Sequence, residues 1–207
     1  RRGVGRALGR PVPGMGRVRI DPDRAMAGPD QEIQDLLRAS PGVNLGIDYL
    51  PGSLNFDPAA GREVDPVLAA DTVWFDALTT NVDRRPPNPN LLVWHERLWL
   101  IDHGAALFAH HGDWRLRDAT RSPFPMIAGH VLLPAAGPVT EADERLGAAL
   151  TPETIAAIVD ALPDEWLDDE AEATPDERRE AYLSYIVGRL EAPRAFADEA
   201  ERVRRGA

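Results

Sequence analysis

Leu91-Leu92-Val93-Trp94 and Leu98-Trp99-Leu100-Ile101 are two short runs of strand-forming residues split by the polar break His95-Glu96-Arg97. A chain that folds back at that break pairs the runs antiparallel and sets Asn90 roughly opposite Ile101 and Asp102. Asn88 and Asn90 then come near Asp102, and Asp83 lies one loop away. Two carboxylates and one or two amide oxygens are thereby gathered at one end of a hairpin. Mg²⁺ takes hard oxygen ligands, usually one or two carboxylates completed by substrate phosphates and water. A second carboxylate can orient the hydroxyl that attacks a phosphoryl group. Singly, Asp83 and Asn88-Pro89-Asn90 read as turn formers, and Asp102-His103-Gly104 as a strand exit. Together, in this order around an apolar hairpin, they read as a metal and phosphate site.

The same residues carry a resemblance. Thr80-Asn81-Val82-Asp83-Arg84-Arg85, Asn88-Pro89-Asn90-Leu91-Leu92 and Leu100-Ile101-Asp102-His103-Gly104 resemble the active-site core of the HipA-like kinases, a group related to the phosphoinositide 3/4-kinases. Leu8–Pro13, Leu54–Phe56, His130–Pro134 and Asp164–Leu167 extend the likeness less specifically. The resemblance implies an α+β, mainly helical fold: a protein-kinase-like C-terminal lobe with a β-hairpin carrying the active site. It implies ATP and Mg²⁺ as cofactors and a hydroxyl, on a protein Ser or Thr, as phosphate acceptor. Asp83 takes the place of the catalytic Asp, with Arg84 beside it, and Asp102 that of the Mg²⁺-binding Asp. Asn88 has the family's five-residue offset from the catalytic Asp, whereas Asn90 has the Asn-Leu-Leu run that follows the metal ligand, so both remain candidates. Leu92 and Ile101 would floor the adenine pocket. His103 replaces the more usual Phe. Arg84 and Arg85 would either neutralise phosphate or pair with Asp83 and nearby acids.

All 23 basic side chains are arginine; there is no lysine. Kinases of this class grip the nucleotide phosphates with a Lys on an N-lobe strand. No P-loop or GxGxxG is present either. The expectation is therefore a single HipA-like kinase domain over 1–207, N-terminally truncated, with 1–25 a remnant of the N-lobe and hinge and 26–207 the C-lobe. Val4 to Gly9 reads as a helix tail and Met15 to Ile20 as a strand. Weak or no turnover is expected of this chain alone. The alternative is an inactive pseudokinase serving as a binding or regulatory module.

A net charge of −11 argues against nonspecific binding to nucleic acid or anionic membranes, which needs a basic face. The acidic runs at 164–170 and 176–177 read as a solvated surface. No apolar run approaches a membrane span, and there is no Cys for disulfides, so a cytoplasmic protein is expected. The Lys-free, Arg- and Ala-rich usage fits a GC-rich bacterial genome. None of His95, His103, His110, His111 and His130 falls in a zinc spacing. Trp94 and Trp99 read as a cross-strand packing pair.

Helix signals dominate elsewhere. Asp65-Pro66 reads as an N-cap with Pro at N1, starting a helix to about Thr79 with an apolar stripe of Val67, Leu68, Val73, Trp74 and Leu78. Asp30 to Arg38 reads as a short helix, and Gly42 to Pro58 as an irregular loop around a possible short strand. Ala105 to Trp114 is expected to begin helical. Thr140/Asp143 and Thr174/Glu177 are capping patterns, and Thr151-Pro152 is a cap followed by Pro. They place helices at about 141–149, 152–161 and 175–191. In the last, Tyr182, Tyr185, Ile186, Arg189 and Leu190 form one stripe. A short charged helix follows over 195–205.

Overall fold

The computed structural model describes residues 3–21, 30–111, 117–168 and 173–206. Residues 112–114 of the helix expected after Gly104, and Asp169 and Glu170 of the acidic run, lie outside them. The fold is α+β, about half helical with small sheets. The described residues divide into two compact units: Pro13–Gly52, and those before Pro13 together with those from Ser53 onward.

In the smaller unit β1 (Met15–Ile20) pairs antiparallel with β2 (Gly42–Ile47), with Met15 opposite Ile47 and Ile20 opposite Gly42. Between them lies α2 (Gln31–Ala39). Its cap is the expected Asp30, whose carboxylate accepts the Glu32 and Ile33 N–H groups at 3.0 and 3.3 Å. A Cβ at Gly14 would meet the carboxylate of the exposed Asp48 at 1.9 Å, so that side chain would have to swing aside.

The larger unit is built around α3 (Pro66–Leu78). Asp65 caps it, accepting Val67 N–H at 2.9 Å. The expected one-sided stripe is not what forms: every residue from Ala69 to Leu78 is buried, whereas Val67 is 53% exposed. The helix runs through the core, packed against α4 (Val139–Ala149), α6 (Pro175–Leu190) and α7 (Ala195–Arg204). Its charged residues survive there only because they are paired. Asp71 receives Arg10, just after α1 (Val4–Ala7), and Arg145 of α4.

β3 (Leu54–Asn55), β4 (Leu91–Trp94) and β5 (Arg97–Leu100) form one antiparallel sheet in that order. Residues 42–58 thus hold two strands where an irregular loop around one possible short strand was expected; β2 pairs with β1 and β3 with β4. The β4–β5 loop is His95-Glu96, with φ of 47° and 60°, the doubly left-handed conformation that matches strand twist in two-residue hairpins. Arg97 belongs to β5, opposite Trp94. The Trp94 and Trp99 rings meet edge to face at 5.5 Å.

α5 (Pro152–Val159) and α6 start at the expected Thr151 and Thr174, the latter with a complete capping box. α4 does not start as expected. It begins at Val139, and its cap comes from α7, where Glu201 Oε2 accepts Val139 N–H at 2.9 Å. Asp143 instead accepts Trp74 Nε1–H at 2.7 Å and Arg194 at 3.0 Å. The segment after Gly104 makes a 3₁₀ turn over Phe108–His111 rather than an α-helix. No helix among the described residues is long and apolar enough to cross a membrane.

Candidate active site at the end of the β4–β5 hairpin

The last turn of α3 begins the site. Asn81 N–H bonds the Asp76 carbonyl at 2.9 Å, and Asn81 Nδ2 donates to Asp76 Oδ1 at 3.1 Å. Asn81 Oδ1 accepts Asp83 N–H at 3.2 Å, so the exit from α3 fixes where Asp83 sits. Asp83 is half-buried. Its Oδ2 accepts Asn88 Nδ2 at 2.8 Å and Asn90 Nδ2 at 3.2 Å, and its carbonyl accepts Asn90 Nδ2 at 3.1 Å. Arg85 and Asn88 exchange backbone hydrogen bonds at 3.2 and 3.0 Å across Pro86-Pro87, closing a turn that presents Asn88 to Asp83.

The hairpin brings in the rest. Ile101 N–H donates to the Asn90 carbonyl at 3.1 Å, extending the ladder by one bond beyond Leu91 opposite Leu100. Asp102 is therefore one residue from Asn90's partner. Asn90 and Asp102 both have left-handed backbones, with φ of 50° and 46°. Asn and Asp tolerate this region better than other non-glycine residues, and such residues gather at functional sites. Asp102 is exposed; its Oδ1 accepts Gly104 N–H at 3.2 Å. Side-chain alternation puts Leu92, Trp99 and Ile101 on one face, opposite the core face of Leu91, Leu98 and Leu100.

Beneath these residues lies a buried ionic group that sequence reasoning missed. Arg84, 1% exposed, sends Nε to Asp76 Oδ2, and Nη1 to the carbonyls of Asn90 and, at 3.4 Å, Ile101. Among the described residues its Nη2 has no partner. His130 Nε2 lies 3.0 Å from the same Asp76 oxygen. His130 Nδ1 accepts Leu132 N–H at 3.1 Å, so Nδ1 carries no proton and Nε2–H is the donor to Asp76. Burial alone would raise the Asp76 carboxyl; Arg84 and His130 outweigh it and hold the group well below the usual carboxylate range. His103 is pushed below the ordinary imidazole value by burial, with Arg84 adding to the effect. The available signal was Asp76 itself, a charge inside an apolar helical run; nothing near it in sequence points to His130.

A divalent metal fits the donor chemistry. Asn90 spends its amide N–H groups on Asp83, leaving Oδ1 as an acceptor, and the Asp83 and Asp102 carboxylates are hard oxygens. Among the described residues no three His, Cys, Asp or Glu side chains form a metal cage. A site of this kind is completed by substrate phosphates and water.

A model of the HipA-like kinase family matches residues 3–194, nearly the whole chain. The chain belongs to the HipA-like kinase family. No curated protein and no solved structure matches it. As a HipA-like kinase it is of the phosphotransferase class, and membership implies ATP, with a divalent metal, and a substrate to receive the phosphoryl group.

Proposed function

We propose that this HipA-like kinase transfers the γ-phosphoryl group of ATP to a hydroxyl of a protein Ser or Thr, with Asp83 orienting the hydroxyl. The observation that carries the reading is Asn90: one side chain clamps both the carbonyl and the carboxylate of Asp83, while its own carbonyl pairs with the residue before Asp102. Asp83, Asn90 and Asp102 are thus tied into one unit. The same bonds favour Asn90 over Asn88 as the amide ligand, because Asn88 is exposed and donates to Asp83 once. Mg²⁺, when bound, would neutralise phosphate charge; Asp102 and Asn90 Oδ1 would hold it. Asp83 Oδ2 accepts the two amides, leaving Oδ1 to accept the hydroxyl hydrogen. Leu92 and Ile101, half-buried on the non-core face of the hairpin, would contact the adenine ring.

A cavity of about 370 Å³ lies beside this turn, against Pro86-Pro87 and Gly129–Val131, and an acceptor polypeptide would rest there. Arg84 does not face solvent, so its part is to hold backbone rather than to touch phosphate. The second reading is a nucleotide-binding module without turnover. Calorimetry with Mg·ATP, paired with a radiolabel transfer assay on generic protein acceptors, separates the two readings. Asp102→Asn should abolish transfer in a protein that still folds; undiminished transfer would sink the assignment.

A further inference from the structure

Arg84 presents a physical problem. A guanidinium buried within one side chain of a cation site should repel the cation that the site exists to hold. The structure answers with Asp76. Its carboxylate receives Arg84 Nε, His130 Nε2–H and Asn81 Nδ2, and it is fully buried. Asp76 thus cancels the Arg84 charge while leaving the guanidinium free to donate. What Arg84 donates to is specific: the carbonyls of Asn90 and Ile101, one on each strand at the open end of the hairpin. These carbonyls belong to Asn90 itself and to the residue before Asp102, the pair with left-handed backbones. The Arg84 carbonyl in turn accepts Val131 N–H at 2.9 Å, so the 130–132 segment is bolted to the same residue.

We infer that Arg84 is a positioning residue: neutralised by Asp76 and braced by His130, it sets the separation of Asn90 and Asp102 and thereby the affinity for a divalent cation it never touches. The inference rests on the proposed function of these two residues and adds the support beneath them. Outer partners that orient metal ligands are worth roughly 10–100-fold in metal affinity.

Two substitutions separate geometry from charge. Arg84→Lys keeps the cation beside Asp76 but loses the fork that reaches both carbonyls. Asp76→Asn keeps an acceptor but leaves the buried cation uncompensated. Mn²⁺ binding to the full chain in the presence of ADP, read by electron paramagnetic resonance, should weaken about 10–100-fold in each. ADP binding in EDTA should change by less than about 2-fold. A folded Arg84→Lys with wild-type Mn²⁺ affinity overturns the inference. If wild type itself binds no Mn²⁺ with ADP, the proposed function fails first. Should both variants fail to fold, His130 gives the same readout: His130→Ala should lose about 10-fold in Mn²⁺ affinity, and His130→Gln, which retains an N–H for Asp76, should restore it. Equal affinities of those two variants would also overturn the inference.

Discussion

Arg189→Met removes a buried cation that no carboxylate balances among the described residues. Arg189 is 1% exposed on α6. It donates to the Leu78, Ala77 and Ser122 carbonyls at 2.8, 2.9 and 3.0 Å, and at longer range to Ala119 and Thr120. Leu78 and Ala77 end α3, so Arg189 donates to the last carbonyls of the helix, at the negative end of its dipole; the Ala77 carbonyl also accepts Thr80 N–H. The guanidinium also lies 4.9 Å from the Phe196 ring centroid. Hydrogen bonds from a charged donor contribute about 1.5–3 kcal/mol each, so the three short ones amount to roughly 5–9 kcal/mol. Desolvating an unpaired guanidinium costs several kcal/mol, which Met does not incur. The difference is a net loss of about 2–4 kcal/mol. At roughly 2–4 °C per kcal/mol for a chain of this size, the thermal midpoint should fall by about 5–15 °C in a circular-dichroism melt. Arg189→Lys, with one compact donor head, should fall between wild type and Met. A Met variant that melts within about 2 °C of wild type would show that the capping argument is wrong.

Asn90→Ala should lower phosphoryl transfer by at least about 100-fold, and Asn88→Ala by less than about 10-fold, because the Asn90 side chain clamps two Asp83 oxygens and that of Asn88 only one. Steady-state kinetics on the two variants checks the order, and a larger loss for Asn88 reverses the ligand choice. Glu201 is held at about 2, below the 4.5 of an unperturbed Glu, by Arg204 first, then Arg205 and the Val139 N–H that outweigh its burial. Its folded value is depressed, so its contribution, on the order of 2 kcal/mol, is present above about pH 4.5 and is lost as pH falls toward 2. Urea melts from pH 6 to 3 should therefore show a shallower acid loss in Glu201→Gln than in wild type; parallel curves would count against the assignment.

What the sequence made legible was local. Asp65, Thr151 and Thr174 cap the helices that follow them because a cap and its acceptor lie within three residues. That Asp83, Asn88 and Asn90 meet was readable because one short turn joins them, and the hairpin that leads on to Asp102 was readable from its two apolar runs. Thr140 misled because the cap of α4 is Glu201, 62 residues from Val139. Within 42–58 only one possible short strand was legible; β3, two residues long, is defined by its partner β4. Asp76 and His130 meet across 54 residues, and no spacing rule connects them. That Arg84 is buried was not legible, since a basic residue beside Asp83 reads equally well as a phosphate contact or as a partner for a nearby acid.

The central helix also bears on how this chain can vary. α3 carries Asp71, which holds Arg10 and Arg145, and Asp76, which holds Arg84, His130 and Asn81. Four separate stretches of chain are thus anchored to acids within two turns of one helix. Asp76 and Arg84 are fully buried and neutral only together, whereas Asp71 is shared by Arg10 and the partly exposed Arg145. Stepwise replacement of Asp76 must therefore pass through a state with an unbalanced buried charge. Substitutions here should be strongly epistatic: tolerated in matched sets and damaging alone, with coupling energies far from additive. The helix beneath the candidate site is thereby restricted in what it can exchange.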